Sequence, residues 1–140
     1  MNKIILPYAT VEYIEPVIYF RITRDVVMDV KEVIEVMEAG NKVANYQPHV
    51  LLTDARISVD VTAEGRKAGE SRDNTQYLVA QAVVVKYLAQ RLIANVFMTI
   101  NKPKFPMQVF NDEQKALDWL MKKWNASKDK NRLSNAQNFK

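Results

Sequence analysis

Cysteine is absent from this 140-residue chain, histidine occurs once, at His49, and glycine occurs only three times. The missing thiols exclude disulfides, thiolate nucleophiles and cysteine metal sites together, and they fit a reducing, cytoplasmic compartment. One imidazole cannot make a histidine cluster, and the acids do not follow a calcium-loop spacing, so neither a metal nor a cofactor is expected. Gly65 and Gly69 stand in no phosphate-binding glycine pattern; Gly65 is read as permitting close packing or a local turn. Long apolar runs are missing too. Pro7, Thr10 and Glu12 interrupt the start of the chain before a signal-peptide core could form, and Ala82 to Val85 is far short of a membrane span, which argues against an integral membrane protein.

What is present describes one globular domain, with 48% hydrophobic and 26% charged residues on a chain of single-domain length. The net charge is +4, yet Lys128, Lys130, Arg132 and Lys140 against Asp129 place +3 of it beyond residue 124. The basicity therefore belongs to the tail. No folded basic face for a phosphate backbone is expected, and Lys102 and Lys104 beside Phe105 are too few to make a nucleic-acid or membrane surface. The organisation expected is a domain over 1–124 followed by a flexible basic tail over 125–140.

Alternating and β-branched residues predict two strands between Tyr8 and Arg24, joined at Glu15-Pro16 as a hairpin. Asp25 or Asp29 could cap a helix running to about Ala44, on Val26, Val30, Val33, Ile34 and Met37. His49 to Asp54 is a continuous apolar run ending in a polar residue, as in a central strand covered on both faces. A short helix from Thr62 to about Ala68, capped by Thr62 or Asp60, follows. Residues 74–93 read as the strongest helix of the chain, apolar over so much of its circumference that it should be buried on more than one side. A strand at 95–100, a short edge strand at 107–110 after Pro106, and a final helix capped by Asp112 and ending near Trp124 complete the order. The sum is an α/β (α+β) fold with a four- to five-stranded mixed sheet, and any crevice should lie beyond the carboxyl end of the central strand, near Asp54.

Several of these pieces together resemble the SpoIIAA-like, or STAS-like, family, especially its small uncharacterised bacterial members. They are Leu51-Leu52-Thr53-Asp54-Ala55-Arg56, Thr62-Ala63-Glu64-Gly65-Arg66, the stretch from Ala80 to Leu92 and on through Asn95, Pro106 to Asp112, and Ala116-Leu117-Asp118-Trp119-Leu120, about half of the chain. The resemblance implies a mixed sheet with helices mainly on one face and a non-enzymatic partner of regulatory proteins. The best-understood members present a phosphoacceptor serine in an Asp-Ser-Ser-Gly loop. Here those positions read Asp54-Ala55-Arg56-Ile57, so the acceptor is missing; modification of Ser58 or Thr62 is left open.

The strand-end candidates are Asp54, Arg56, Thr62 and Arg66. The two arginines could fork onto a carboxylate or phosphate while the helix start at Thr62 supplies N–H donors. Against this, Asp54 and Thr62 could simply cap local backbone, with the remaining charges solvated or paired. His49 lacks a nucleophile and an orienting group nearby in sequence, and Asp112-Glu113 fit the favourable first turn of a helix, so no enzyme is expected. Two functions compete: a non-catalytic interaction or regulatory domain that forms a homodimer or binds another protein through its apolar helices, and a small-molecule or anion-binding protein using the Asp54 to Arg72 region. Trp119 and Trp124 should serve core or dimer packing.

Overall fold

A computed structural model describes residues 2–57, 59–87 and 104–138. The expected hairpin is there: β2 (Ala9–Ile14) and β3 (Val17–Ile22) pair antiparallel from Ile14↔Val17 to Ala9↔Ile22, and β1 (Lys3–Leu6) adds an outer strand to β2. β3 then pairs parallel with β5 (His49–Asp54), β5 with β7 (Leu78–Val84), and β7 with β8 (Met107–Phe110). Among the described residues the sheet has six strands in the order β1-β2-β3-β5-β7-β8, where the sequence reading allowed four or five; the short apolar run at the start of the chain pairs as an edge, and β7 is a strand that reading did not expect. A separate parallel pair joins β4 (Val26–Met28) to β6 (Val59–Val61).

Helix α1 (Val30–Val43) starts where Asp29 allows it to, the Asp29 N–H donating to the Glu32 carboxylate at 3.0 Å. Its buried stripe is Val33, Val36, Ala39, Gly40 and Val43, while Val30 and Ile34 face outward. Val26, read as helical, lies in β4. Helix α2 (Ala63–Glu70) is capped by Thr62, whose hydroxyl oxygen accepts from the Gly65 N–H at 3.0 Å and whose O–H donates to Asp29 at 2.7 Å, so one side chain ties the starts of both helices together.

A Cβ on Gly65 would stand 2.6 Å from the Met28 carbonyl oxygen and 3.2 Å from the Asp29 carbonyl carbon. Backbone cannot yield as a side chain can, so Gly65→Ala is expected to destabilise by about 1–3 kcal/mol, measured as a lower urea midpoint at unchanged slope.

The largest departure from the sequence reading is at 74–93. Residues 78–84 form strand β7 and no helix. Ala80, Ala82 and Val84 point to one face and Gln81 and Val83 to the other, and a strand buried on both faces gives the same unbroken apolar run as a buried helix. Residues 88–93 of that expected helix, and the strand expected at 95–100, lie outside the described residues.

The last helix, α3 (Glu113–Asn138), begins with the Asp112 carboxylate accepting from the Lys115 N–H at 3.1 Å. It does not end near Trp124. Residues 125–138 contain neither glycine nor proline, and nothing in them terminates the helix.

Sheet alternation divides the core in two. On one face Ile18, Phe20, Ile22 and Leu51 meet α1, with α2 packed against it. On the other, Val17, Val50, Leu52, Ala80, Ala82 and Val84 receive Ala116 and Leu120 of α3. Small residues at 80 and 82 let the helix sit close, and Trp119 adds a ring contact to Phe110 at 5.8 Å between centroids.

Candidate functional site

Parallel pairing brings the carboxyl ends of β3, β5, β7 and β8 to one edge, with Arg21 directly beside Asp54 in register. Both side chains point to the α3 face. The Arg21 guanidinium donates to Asp54 at 3.0 Å and twice to Glu113, at 2.7 and 3.1 Å. Arg56 turns back onto the same acids, donating through Nε and Nη2 to Asp54 at 2.9 and 2.8 Å and to Glu113 at 3.1 Å. Its backbone N–H also reaches Asp54 at 3.2 Å.

Two cations and two anions thus close a neutral ring. The hydrogen bonds from Arg56 hold the Asp54 carboxyl below its ordinary range against the opposing effect of burial, those from Arg21 do the same for Glu113, and the acids in turn keep both guanidinium groups charged. An arginine already forked onto internal carboxylates has little left for an outside anion, which would first have to displace them.

The four sequence candidates therefore part company. Asp54 and Arg56 meet in the ring. Thr62 is spent on capping α2, and Arg66 lies on α2 against a different feature, described next. Ser58 lies outside the described residues. His49 is buried at the start of β5, with Nδ1 2.9 Å from the Gln47 carbonyl, and burial pushes its pKa down. With Val11, Ile18, Leu51 and Leu78 it borders a small gap in the core, which gives it a packing role. Among the described residues no group of three or more histidines or acids could hold a metal.

A cavity of about 610 Å³ lies over the opposite face of the sheet. Its floor is the part of β5, β7 and β8 that α1 does not reach, with Thr53, Gln81, Val83, Met107 and Val109. Phe20 and Ile22 of β3, Val33 and Val36 of α1, Met28, Val59 and Phe105 complete apolar walls. Asp60, Arg66 and Glu70 also line it; Asp60 is exposed and the other two half-buried, so charge meets the cavity where its wall meets solvent. On the floor, Gln81 Nε2 donates to Thr53 Oγ1 at 2.8 Å. The volume is that of a typical small-molecule site, and the pattern of apolar walls with a few convergent polar groups is the usual one for such sites.

Sequence reasoning missed Arg21, Glu113, Thr53 and Gln81. The signal for Gln81 was available: it is the one polar residue within the run 78–85, and on a strand it must project to the face opposite Ala80 and Ala82. Arg21 and Glu113 carried none, since their meeting depends on the parallel register of β3 with β5 and on where α3 enters.

Comparison with curated proteins returns no match. A crystal structure of an uncharacterised protein from the DUF3478 family, with a SpoIIAA-like fold, from Shewanella loihica PV-4, superposes with a TM-score of 0.55 at 14% identity, over 80% of this chain and 91% of that one. At that identity the likeness is one of fold, and it bears out the SpoIIAA-like architecture read from the sequence. Residues 11–123 match the profile of a domain of unknown function, DUF7793. That span runs from β2 into α3 and takes in both the ion ring and the cavity, and the chain belongs to the DUF7793 family.

Proposed function

We propose that this is a non-catalytic binding domain that takes a small, predominantly apolar molecule into the cavity between the sheet and helices α1 and α2. The observation that carries the reading is the cavity itself, about 610 Å³ with a mainly apolar lining, on a domain whose other sheet face packs its buried residues against α3. It keeps the region expected from the sequence, since Thr53, Ala55, Val59 to Val61, Gly65, Arg66, Gly69 and Glu70 all border it. It changes the expected chemistry. Of the two arginines that suggested an anion, Arg56 is held by Asp54 and Glu113 while Arg66 borders the cavity, and the cavity lining is mainly hydrocarbon. The competing reading, a partner docked on an apolar helix at 74–93, finds residues 78–84 in a buried strand.

Binding of the uncharged dye N-phenyl-1-naphthylamine tests it. The protein is expected to raise the dye's fluorescence saturably, and Val83→Phe, which puts a ring into the cavity from its floor, is expected to weaken binding at least tenfold without lowering thermal stability. Unchanged binding by a folded Val83→Phe protein, or no binding to the parent, would remove the proposal.

A further inference from the structure

Resting on that reading of the cavity, we infer that its ligand carries an uncharged head group able to donate and accept a hydrogen bond at once, a hydroxyl or a primary amide, and that Thr53 and Gln81 select it. Thr53 is only 8% exposed, one residue before the carboxyl end of the central strand, and Gln81 stands on the neighbouring strand β7, both among apolar cavity residues. Their mutual bond uses one Gln81 N–H and one lone pair of the Thr53 hydroxyl. Among the described residues, neither the Thr53 O–H nor the Gln81 side-chain carbonyl has a partner. If the amide is turned over, the Thr53 O–H donates to the carbonyl and the Gln81 NH2 and a Thr53 lone pair are left instead. Either way at least one donor and one acceptor remain, side by side.

A polar pair in an apolar cavity needs such a complement, because a buried donor or acceptor without one costs free energy. A hydroxyl supplies both halves with one atom, and a primary amide with two. A carboxylate supplies only acceptors and would leave its charge facing neutral groups, while a halide or hydrocarbon supplies neither. The charged lining residues Asp60, Arg66 and Glu70 are half-buried to exposed and together carry one net negative charge, so they add no attraction for an anion.

The test is displacement of N-phenyl-1-naphthylamine by four ligands of one chain length, 1-octanol, octanamide, octanoate and 1-chlorooctane, from the parent and from the double variant Thr53→Val/Gln81→Leu. Removing both partners together leaves neither orphaned, so the variant is expected to fold with stability close to the parent's. The parent should prefer octanol and octanamide over chlorooctane by about tenfold, the worth of one to two neutral hydrogen bonds. The variant should lose that preference and still bind chlorooctane. Equal binding of all four by the parent, tighter binding of octanoate at pH 8, or a preference that survives in the variant would each overturn the inference while leaving an apolar binding site in place. Failure of the parent to bind the dye would overturn both.

Discussion

Leu120→Ala should cost the protein about 2–5 kcal/mol, the largest loss expected from any single truncation on the α3 face, read from the urea midpoint. Leu120 is fully buried, and with Ala116 it forms the fully buried part of the helix against Val50, Leu52, Ala80, Ala82 and Val84. Ala80 and Ala82 on the sheet side of this contact offer only methyl groups, which cannot move up to fill the space a leucine vacates. Leu117, Trp119, Met121 and Trp124 of α3 add only half-buried contacts to the same cluster. From Asn125 to Asn131 its side chains are exposed apart from a half-buried Ser127, so the helix is held by its first turns. Ala126→Gly, in the same helix but exposed, should lower stability by about 1 kcal/mol at most, which separates loss of packing from loss of helix propensity. If the two variants proved equally destabilised, the docking of α3 on Leu120 would be wrong.

The second large effect is expected at Arg21. Replacing it by methionine leaves Glu113 and Asp54 sharing Arg56 alone, and the expected loss is about 2 kcal/mol, reduced from the figure for a fully buried pair because Arg21 is 37% exposed. The change should also alter the acid limb of stability. Asp54 and Glu113 have folded-state pKa values below their ordinary 3.8 and 4.5, so the unfolded chain takes up protons first. Their contribution is therefore fully present above those ordinary values and is lost as pH falls through the lower, folded ones. Arg21→Met should flatten this limb below pH 5 in urea titrations, while leaving a shallower slope nearer pH 6. That upper slope comes from His49, whose pKa is also pushed down, so stability falls once pH drops below its ordinary 6.5. Parallel acid limbs for parent and variant would show that Arg21 does not hold the two carboxylates charged.

Much of the architecture was legible because local rules carried it. The hairpin, the cap at Asp112 and the buried strand 49–54 each depend on a few neighbouring residues and lie where those residues put them, and of the paired cap candidates it is Asp29 and Thr62 that start their helices. β7 was not legible for a reason that lies in its position. A strand covered on both faces loses the polar alternation that marks strands, and Leu78-Val79-Ala80-Gln81-Ala82-Val83-Val84 then satisfies a helical count equally well. The three-residue strands β4 and β6 pair only with each other across 30 residues of chain, so nothing local announces them.

The candidate site was half legible. Asp54 and Arg56 were placed at a strand end by the apolar run before them, but the role imagined for Arg56 required an empty partner position. Glu113 fills it from 57 residues away. The cavity had no sequence signature at all, because it exists where α1 stops short of β7 and β8, and a gap between elements is not written in the periodicity of any one of them.

Strand β7 carries one further consequence, for how such a domain can change over evolutionary time. Each of its residues serves a single side of the sheet: Ala80, Ala82 and Val84 seat α3, whereas Gln81 and Val83 border the cavity. Substitutions at 81 and 83 touch no residue that anchors the helix, so their effects on stability should be nearly independent of changes on the α3 side. What the cavity accepts can then drift by single steps in a chain that stays folded throughout, and members of one family could keep this framework while diverging in what they hold.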